Sequence, residues 1–124
     1  MKKIYLDNTA TTKVAKEVKK AMLPFFDEIY GNQSSSHSYG MEANFYVEQA
    51  RSEFAKILNC KTNEIYFTSC GSESNSWAIV GLAMANKDKG NHIITTKIEH
   101  DSILNACKYL ENFGFEITYV NVNS

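Results

Sequence analysis

The chain has 124 residues, with 13 basic and 14 acidic side chains, a net charge of -1 and 44% hydrophobic residues. This length and apolar content suit one small folded domain and argue against a disordered chain. Arg51 is a single arginine beside 12 lysines, and no stretch carries clustered positive charge. The composition therefore argues against a nucleic-acid-binding surface.

The sequence shows neither a membrane-spanning or signal segment nor a cysteine pattern typical of metal binding or disulfides. The longest apolar run, 77–85, has about half of the ~20 residues that span a bilayer and is interrupted by Gly81. The two lysines after the first residue are not followed by an apolar signal core. Cys60, Cys70 and Cys107 show no C-x-x-C pairing, which argues against zinc and redox signatures and against a disulfide framework. We predict a cytoplasmic protein with reduced thiols, no membrane association and no metal site.

Two helical patterns open the chain, separated by a polar loop at 31–40. The first has apolar residues at helical spacing over 14–26, and Pro24 should end or bend this helix. The second has an apolar stripe over 43–58, with most charged residues outside the stripe. These patterns predict two helices before the rest of the fold.

Beyond residue 58 the pattern alternates between short β-branched or aromatic runs and helical segments. We predict strands at 64–68, 92–96 and 115–122, and helices at 73–87 and 102–112. The first of these helices is apolar nearly all round from Trp77 onward, so it should lie deep against a sheet. In the second, Ile103, Cys107 and Leu110 should face inward, and Gly114 should stop it.

Strands separated by helices of this length form βαβ units with right-handed crossovers, and their sheets are parallel and covered on both faces. Here the last predicted strand has no helix after it to cover the new edge. Three short parallel strands with uncovered faces make a poor independent domain. The pattern therefore indicates the opening part of a larger α/β fold.

The turn at 69–75 is the strongest candidate for a binding site, because it joins a predicted strand to a predicted helix. Backbone N–H groups and the positive end of the helix dipole meet there, and Gly71 lets an anion approach the backbone. The hydroxyls of Ser72 and Ser74 would add donors, which predicts a phosphate site. In the alternative interpretation, Ser72 or Ser74 only caps the helix, with Glu73 favourable in the first turn. The missing P-loop lysine and G-x-G-x-x-G spacing argue against nucleoside triphosphates and dinucleotides.

His100 follows the strand predicted at 92–96, which places it at the carboxyl edge of a parallel sheet, where ligands bind in open α/β folds. An imidazole there could stack on a flat ring or move a proton near neutral pH. The alternative is a solvated histidine beside Glu99 and Asp101. His37 in the serine-rich loop is a weaker candidate with the same alternative.

Cys70 lies at the predicted start of a helix, where a thiol can have a lowered pKa and become nucleophilic. No basic residue is near it in sequence. We therefore interpret Cys70 as a small residue that lines the turn without taking part in chemistry.

Four segments, taken in order, resemble one family. They are YLDNTATT at 5–12, a stretch with Gly-Asn, two serines and His37 at 31–40, FTS followed by ESN within 67–75, and the pair Glu99-His100. Together they are similar to the pyridoxal-phosphate-dependent cysteine desulfurases, close to the selenocysteine lyases within the class V aminotransferase fold. The resemblance runs over essentially the whole chain and covers about the first third of a family member.

The resemblance implies an α/β fold that is the N-terminal part of the large domain of a PLP-dependent transferase of fold type I. In that fold, helices pack on a mainly parallel sheet, which is incomplete in this chain. Residues 1–40 would form an N-terminal arm, the first helix and the serine-rich loop. Residues 41–124 would form the first part of the α/β cofactor-binding domain.

The resemblance also assigns site residues. Gly71 and Ser72 correspond to the cradle that binds the phosphate of pyridoxal 5'-phosphate. His100 is similar to the catalytic histidine that stacks on the pyridine ring and assists proton transfer. Asn8 and Ala10 resemble the segment that borders the substrate pocket. The family commonly has Gly-Ala-Thr in the turn where this chain has Cys70-Gly71-Ser72, so the hydroxyl is retained.

A complete enzyme of this kind converts L-cysteine to L-alanine and passes sulfur to an acceptor protein for iron–sulfur clusters or thio-cofactors, and the family is homodimeric. This chain has no lysine in the Ser/Thr-x-His-Lys context that carries the cofactor in the family. We therefore predict that the 124 residues alone are inactive. The alternatives are a non-catalytic remnant that acts as a folded interaction unit, and a selenocysteine lyase or other class V aminotransferase.

Overall fold

The computed structural model describes residues 3–123. The chain divides into two compact units, one up to Tyr66 and the other from Phe67 onward. The predicted division at residue 40 into an arm and a cofactor-binding part stays a prediction. None of the helices formed by residues 3–123 has the length and hydrophobicity of a membrane-spanning segment.

The first unit is helical. Its helices are α1 (Lys16–Met22), α2 (Pro24–Asp27) and α3 (Ser38–Leu58). Pro24 is the first residue of α2, where its missing N–H costs no helical hydrogen bond, so the predicted break at this proline is confirmed. Asn59 ends α3 in the left-handed conformation, with φ 53°.

The loop before α3 is shorter and tighter than predicted, because α3 begins at Ser38, inside the predicted loop. Two glycines allow a close backbone approach there. A Cβ atom on Gly31 would lie 2.1 Å from the carbonyl oxygen of Tyr39, and one on Gly40 would lie 2.3 Å from that of Ser35. Glycine is therefore required at both positions.

The strand predicted at 64–68 is wrong for the described part of the chain. Thr62–Glu64 forms a 3-10 turn, in which the Glu64 carboxylate accepts the backbone N–H of Lys61 at 2.7 Å. Ile65 is extended, but residues 65–68 belong to no ladder, and the Arg51 guanidinium donates to the carbonyl oxygen of Ile65. A strand exists only through pairing, which a local pattern cannot reveal.

The second unit contains a βαβ arrangement preceded by a helical segment. The segment consists of α4 (Gly71–Ser76), a π-helical turn (Trp77–Gly81) and α5 (Leu82–Ala85). It is followed by β1 (His92–Thr96), α6 (Asp101–Glu111) and β2 (Glu116–Val120). The two strands pair in parallel, from His92 opposite Glu116 to Thr96 opposite Val120. The predicted strands at 92–96 and 115–122, their parallel pairing and the helix between them are confirmed.

The core of the second unit lies between α6 and the sheet. Ala106, Cys107, Leu110 and Phe115 are buried, as the predicted inward face of α6 requires, although Ile103 is only half-buried. Gly114 has a φ of 82°, so the predicted stop after α6 is confirmed.

The predicted deep burial of the helix after residue 73 is wrong for the described residues. None of the residues from Gly71 to Ala85 is buried, and Trp77 is 58% exposed. An apolar surface is buried only where another layer covers it, and α6 covers one side of this segment. Its remaining apolar surface is therefore exposed.

Candidate functional site

The Glu73 carboxylate and the hydroxyls of Ser69 and Ser74 organise the start of α4. The Glu73 carboxylate accepts the backbone N–H of Ser69 at 2.6 Å and the Ser69 hydroxyl at 2.8 Å, and these two donors lower the pKa of Glu73. Ser74 Oγ lies 2.6 Å from Thr68 Oγ1 and donates to the Cys70 carbonyl at 3.4 Å. No side chain caps α4, so the interpretation of Ser72 or Ser74 as its cap is wrong.

The backbone at the start of α4 is accessible. Ser72 is exposed, and its hydroxyl makes no hydrogen bond within the described residues. A Cβ atom built on Gly71 would meet nothing within 4 Å, so the first turn faces open space on that side. The hydroxyl and the first turn are therefore open to a ligand.

Cys70 precedes this turn and is exposed. The backbone N–H of Glu73, the Ser69 hydroxyl and the backbone N–H of Ser72 lower the pKa of the Cys70 thiol. The Ser69 hydroxyl lies 3.8 Å from the sulfur. The thiol therefore ionises more readily than an ordinary cysteine, although the predicted passive role remains untested.

His100 lies four residues after the end of β1 and is the N-cap of α6. It is therefore at the carboxyl end of the parallel sheet, as predicted. Its Nδ1 atom accepts the backbone N–H of Ser102 at 3.1 Å and lies 2.8 Å from Ser102 Oγ. Asn75 on α4 donates from Nδ2 to Ser102 Oγ at 2.9 Å, which links the two helices.

Ser72 and His100 line the same open pocket, which has a volume of about 1010 Å³. The pocket lies between α6 and the helical segment that starts at Gly71. Its other lining residues are Ser76, Trp77, Val80, Gly81, Asp101, Ser102, Asn105, Ala106 and Tyr109. Two site residues that are 28 positions apart in sequence are thus brought to one cavity by the fold.

The remaining candidates lie in the first unit. Asn8 and Ala10 belong to a turn in which the Ala10 N–H donates to the Asp7 carbonyl at 3.2 Å. Tyr5 supports this turn by donating from its hydroxyl to the Asp7 carbonyl at 2.7 Å. The substrate-side role of Asn8 and Ala10 stays a prediction. His37 caps α3 by accepting the Gly40 N–H at 3.4 Å.

Sequence reasoning missed Asn75 and Ser102. Ser102 follows His100 by two positions, which is the spacing at which an N-cap side chain accepts a backbone N–H. That rule could have identified the His100–Ser102 contact. The contribution of Asn75 has no local signal, because it depends on how α4 packs against α6.

Comparison with known proteins identifies the family. The model of the family described as aminotransferase class-V matches residues 4–124. The chain belongs to this family. The predicted membership of the class V aminotransferase fold is therefore confirmed.

Curated relatives are cysteine desulfurases. The chain is 51% identical over 122 residues to "Cysteine desulfurase IscS" of Methanosarcina thermophila, which covers 98% of this chain and 30% of that relative. It is 52% identical over 122 residues to "Cysteine desulfurase IscS" of Clostridium botulinum, which covers 98% of this chain and 31% of the relative. The chain thus spans about 30% of the length of the curated relatives it matches.

Solved structures show the same fold. A "NIFS-LIKE PROTEIN" superposes with a TM-score of 0.88 and 44% identity, over 94% of this chain and 32% of that one. A protein described as "SspA in complex with cysteine" gives a TM-score of 0.85 and 40% identity, over 94% of this chain and 33% of that one. The predicted α/β fold, with helices and a parallel sheet that form part of a larger fold, is confirmed.

Proposed function

We propose that this chain is part of a cysteine desulfurase and contributes residues that hold the phosphate and the ring of pyridoxal 5'-phosphate. One observation carries the proposal: Ser72 and His100, which the sequence assigns separately to phosphate and ring, line a single pocket. The similarity to cysteine desulfurases over 98% of the chain supports it.

The residues of the pocket fit this cofactor. Ser72 lines the pocket and offers its hydroxyl, and Gly71, which precedes it outside the lining, offers an open backbone at the start of the helical segment, where the positive dipole end favours a phosphate. His100 is exposed and offers a planar ring beside them. When bound, the cofactor supplies the electron sink for amino-acid chemistry. Among the described lining residues there is no lysine or arginine, so these donors act here without a cationic side chain.

The proposed activity of the complete enzyme is conversion of L-cysteine to L-alanine with transfer of sulfur to an acceptor protein that serves iron–sulfur clusters or thio-cofactors. Asn8 and Ala10 would border the substrate, and the enzyme would be a homodimer. The names of the curated relatives and the cysteine complex of a structural neighbour support the substrate. A selenocysteine lyase, another class V aminotransferase and a non-catalytic interaction unit are the alternatives.

Turnover is proposed to need residues beyond these 124. The chain contains no Ser/Thr-x-His-Lys sequence, which the resemblance assigns to the lysine that carries the cofactor. The chain alone is therefore expected to bind the cofactor without releasing alanine. Alanine release from L-cysteine by the purified 124-residue chain would contradict this part of the proposal.

The binding test is a titration of the purified chain with pyridoxal 5'-phosphate, followed by the absorbance and fluorescence of the cofactor. Ser72→Ala removes a donor to a charged phosphate and should weaken binding about tenfold. Ser76→Ala is the matched control, because Ser76 lines the same pocket. Pyridoxal without the phosphate should bind both proteins equally weakly. Equal affinity of wild type and Ser72→Ala for pyridoxal 5'-phosphate would refute the phosphate assignment.

A further inference from the structure

The hydrogen bonds around His100 restrict where its proton can be. Nδ1 of His100 receives the backbone N–H of Ser102 at 3.1 Å. A backbone N–H can only donate, so Nδ1 must present its lone pair and carry no proton. In the neutral ring, the proton is then on Nε2.

The same reasoning orients the next two groups. Because Nδ1 is an acceptor, the Ser102 hydroxyl 2.8 Å away must donate its hydrogen to Nδ1. Its oxygen then accepts from Asn75 Nδ2 at 2.9 Å, which agrees with the orientation of the Asn75 amide in the structure. The Asn75 amide thus donates to the Ser102 hydroxyl, and this hydroxyl and the Ser102 backbone N–H both donate to Nδ1.

The neighbouring carboxylates do not compete for this nitrogen. Glu99 accepts the hydroxyl of Thr96 at 2.8 Å, and Asp101 lines the pocket without a hydrogen bond to His100 in the described residues. Asn75 and Ser102 are half-buried, whereas His100 is exposed. Nε2 is therefore the ring nitrogen left for a ligand.

We propose that Ser102 and Asn75 are positioning residues that hold neutral His100 with its proton on Nε2, so that it meets a ligand in the pocket as a hydrogen-bond donor. In this state Nε2 has no lone pair with which to accept a proton. His100 would have to change tautomer and lose its contacts with Ser102 before it could act as a base at Nε2. The proposal rests on the proposed function only for the identity of the ligand.

The test is the tautomer of His100 in the 124-residue chain labelled with ¹⁵N-histidine, read from long-range ¹H–¹⁵N spectra at alkaline pH. Wild type should show a pyridine-type Nδ1 and a pyrrole-type Nε2. Asn75→Asp is nearly isosteric, but its carboxylate can only accept, so the Ser102 hydroxyl would donate its hydrogen bond to the carboxylate and no longer to Nδ1. Nδ1 should then lose its hydroxyl donor and its resonance should shift from the wild-type position, but it should stay pyridine-type because the backbone N–H of Ser102 still donates to it.

Companion variants keep the test decisive. Ser102→Ala removes the hydroxyl donor and should shift Nδ1 away from its wild-type position, whereas Ser102→Thr retains the hydroxyl and should restore it. Ser76→Ala is the control, since Ser76 lines the pocket and has no hydrogen bond to His100 within the described residues. A proton on Nδ1 in wild type, or identical ¹⁵N shifts in wild type, Asn75→Asp and Ser102→Ala, would overturn the proposal.

Failure of this proposal is distinguishable from failure of the proposed function. The tautomer is measured without cofactor, whereas the phosphate assignment is measured by the Ser72→Ala titration. Wild-type tautomers as expected together with unchanged binding in Ser72→Ala would reject only the cofactor assignment. Weaker cofactor binding by Ser72→Ala, together with a proton on Nδ1 in wild type, would reject only the positioning role.

Discussion

The two helical elements that line the pocket use their apolar residues differently. α6 buries Ala106, Cys107 and Leu110 against its own sheet. The segment from Gly71 to Ala85 buries none of its residues, although it is apolar nearly all round from Trp77. An amphipathic helix needs one covering layer, which this chain supplies, whereas a helix that is apolar on every side needs several. The apolar face of α6 is therefore buried within this chain, whereas much of the apolar surface of the other segment stays exposed.

Each of the two elements carries a leucine that can be truncated to alanine. Leu110 is completely buried, whereas Leu82 on α5 is 67% exposed. Leu110→Ala should lower the free energy of unfolding by about 3 kcal/mol through lost burial and a cavity. Leu82→Ala should change it by less than about 0.5 kcal/mol. Urea unfolding followed by circular dichroism measures both, and equal losses would show that the exposed segment is covered in solution.

The glycines that follow the two elements differ in backbone conformation. After α6 the chain turns at Gly114 with φ 82°, and the N–H of Phe115 then donates to the Leu110 carbonyl at 3.3 Å. Gly114→Ala should cost about 1–2 kcal/mol of stability, because a Cβ atom is disfavoured in the left-handed region. Gly90, which follows α5, has no positive φ and open space around it, so Gly90→Ala is the matched control and should cost less than about 0.5 kcal/mol. A loss for Gly90→Ala as large as that for Gly114→Ala would contradict the strain argument.

The part of the fold that sequence could predict is the part set by local patterns. The β-branched run at 92–96 and the helix after it were sufficient to predict a parallel βαβ unit, which the structure contains. The run at 64–68 has a similar composition but no strand partner in the described chain. The exposure of Trp77 was unpredictable for the same reason, because pairing and burial depend on which other segments are present.

Some residues of the candidate site could also be predicted from local patterns, whereas others could not. Ser72 and His100 were predictable because each follows a local rule, a donor at a helix start and an imidazole at a strand end. Their joint placement depends on the packing of the segment that starts at Gly71 against α6. The relay from Asn75 through Ser102 depends on side-chain distances between two helices, which no sequence pattern specifies.

The cysteines of the two elements should differ in reactivity. Contacts at the start of α4 lower the pKa of Cys70, whereas burial, with smaller contributions from Glu111 and Glu99, raises that of Cys107. The alkylation rate of Cys70 should therefore level off at lower pH and exceed that of Cys107 at least about tenfold at neutral pH.

Mass spectrometry after iodoacetamide treatment gives both rates. Ser69→Ala removes the hydroxyl that helps to lower the pKa of Cys70, so the pH profile of Cys70 should move to higher pH while that of Cys107 stays in place. Equal rates for the two thiols in the native protein would contradict the assignment.

The smallest expected effect concerns Glu73, which organises the start of the exposed element. Two donors from Ser69 lower its pKa in the folded chain, so the folded state binds this proton less readily than the unfolded state does. The stabilisation is therefore present above the ordinary carboxyl range and is lost as pH falls through the lowered folded pKa. Glu73→Gln should unfold at a lower urea concentration than wild type at neutral pH, and the difference should vanish in acid.

Asp88→Asn is the control, because Asp88 has no hydrogen bond or ion pair within the described residues and its replacement should leave the pH profile unchanged. A Glu73→Gln difference that persists in acid would mean that the side chain stabilises α4 by packing rather than by charge.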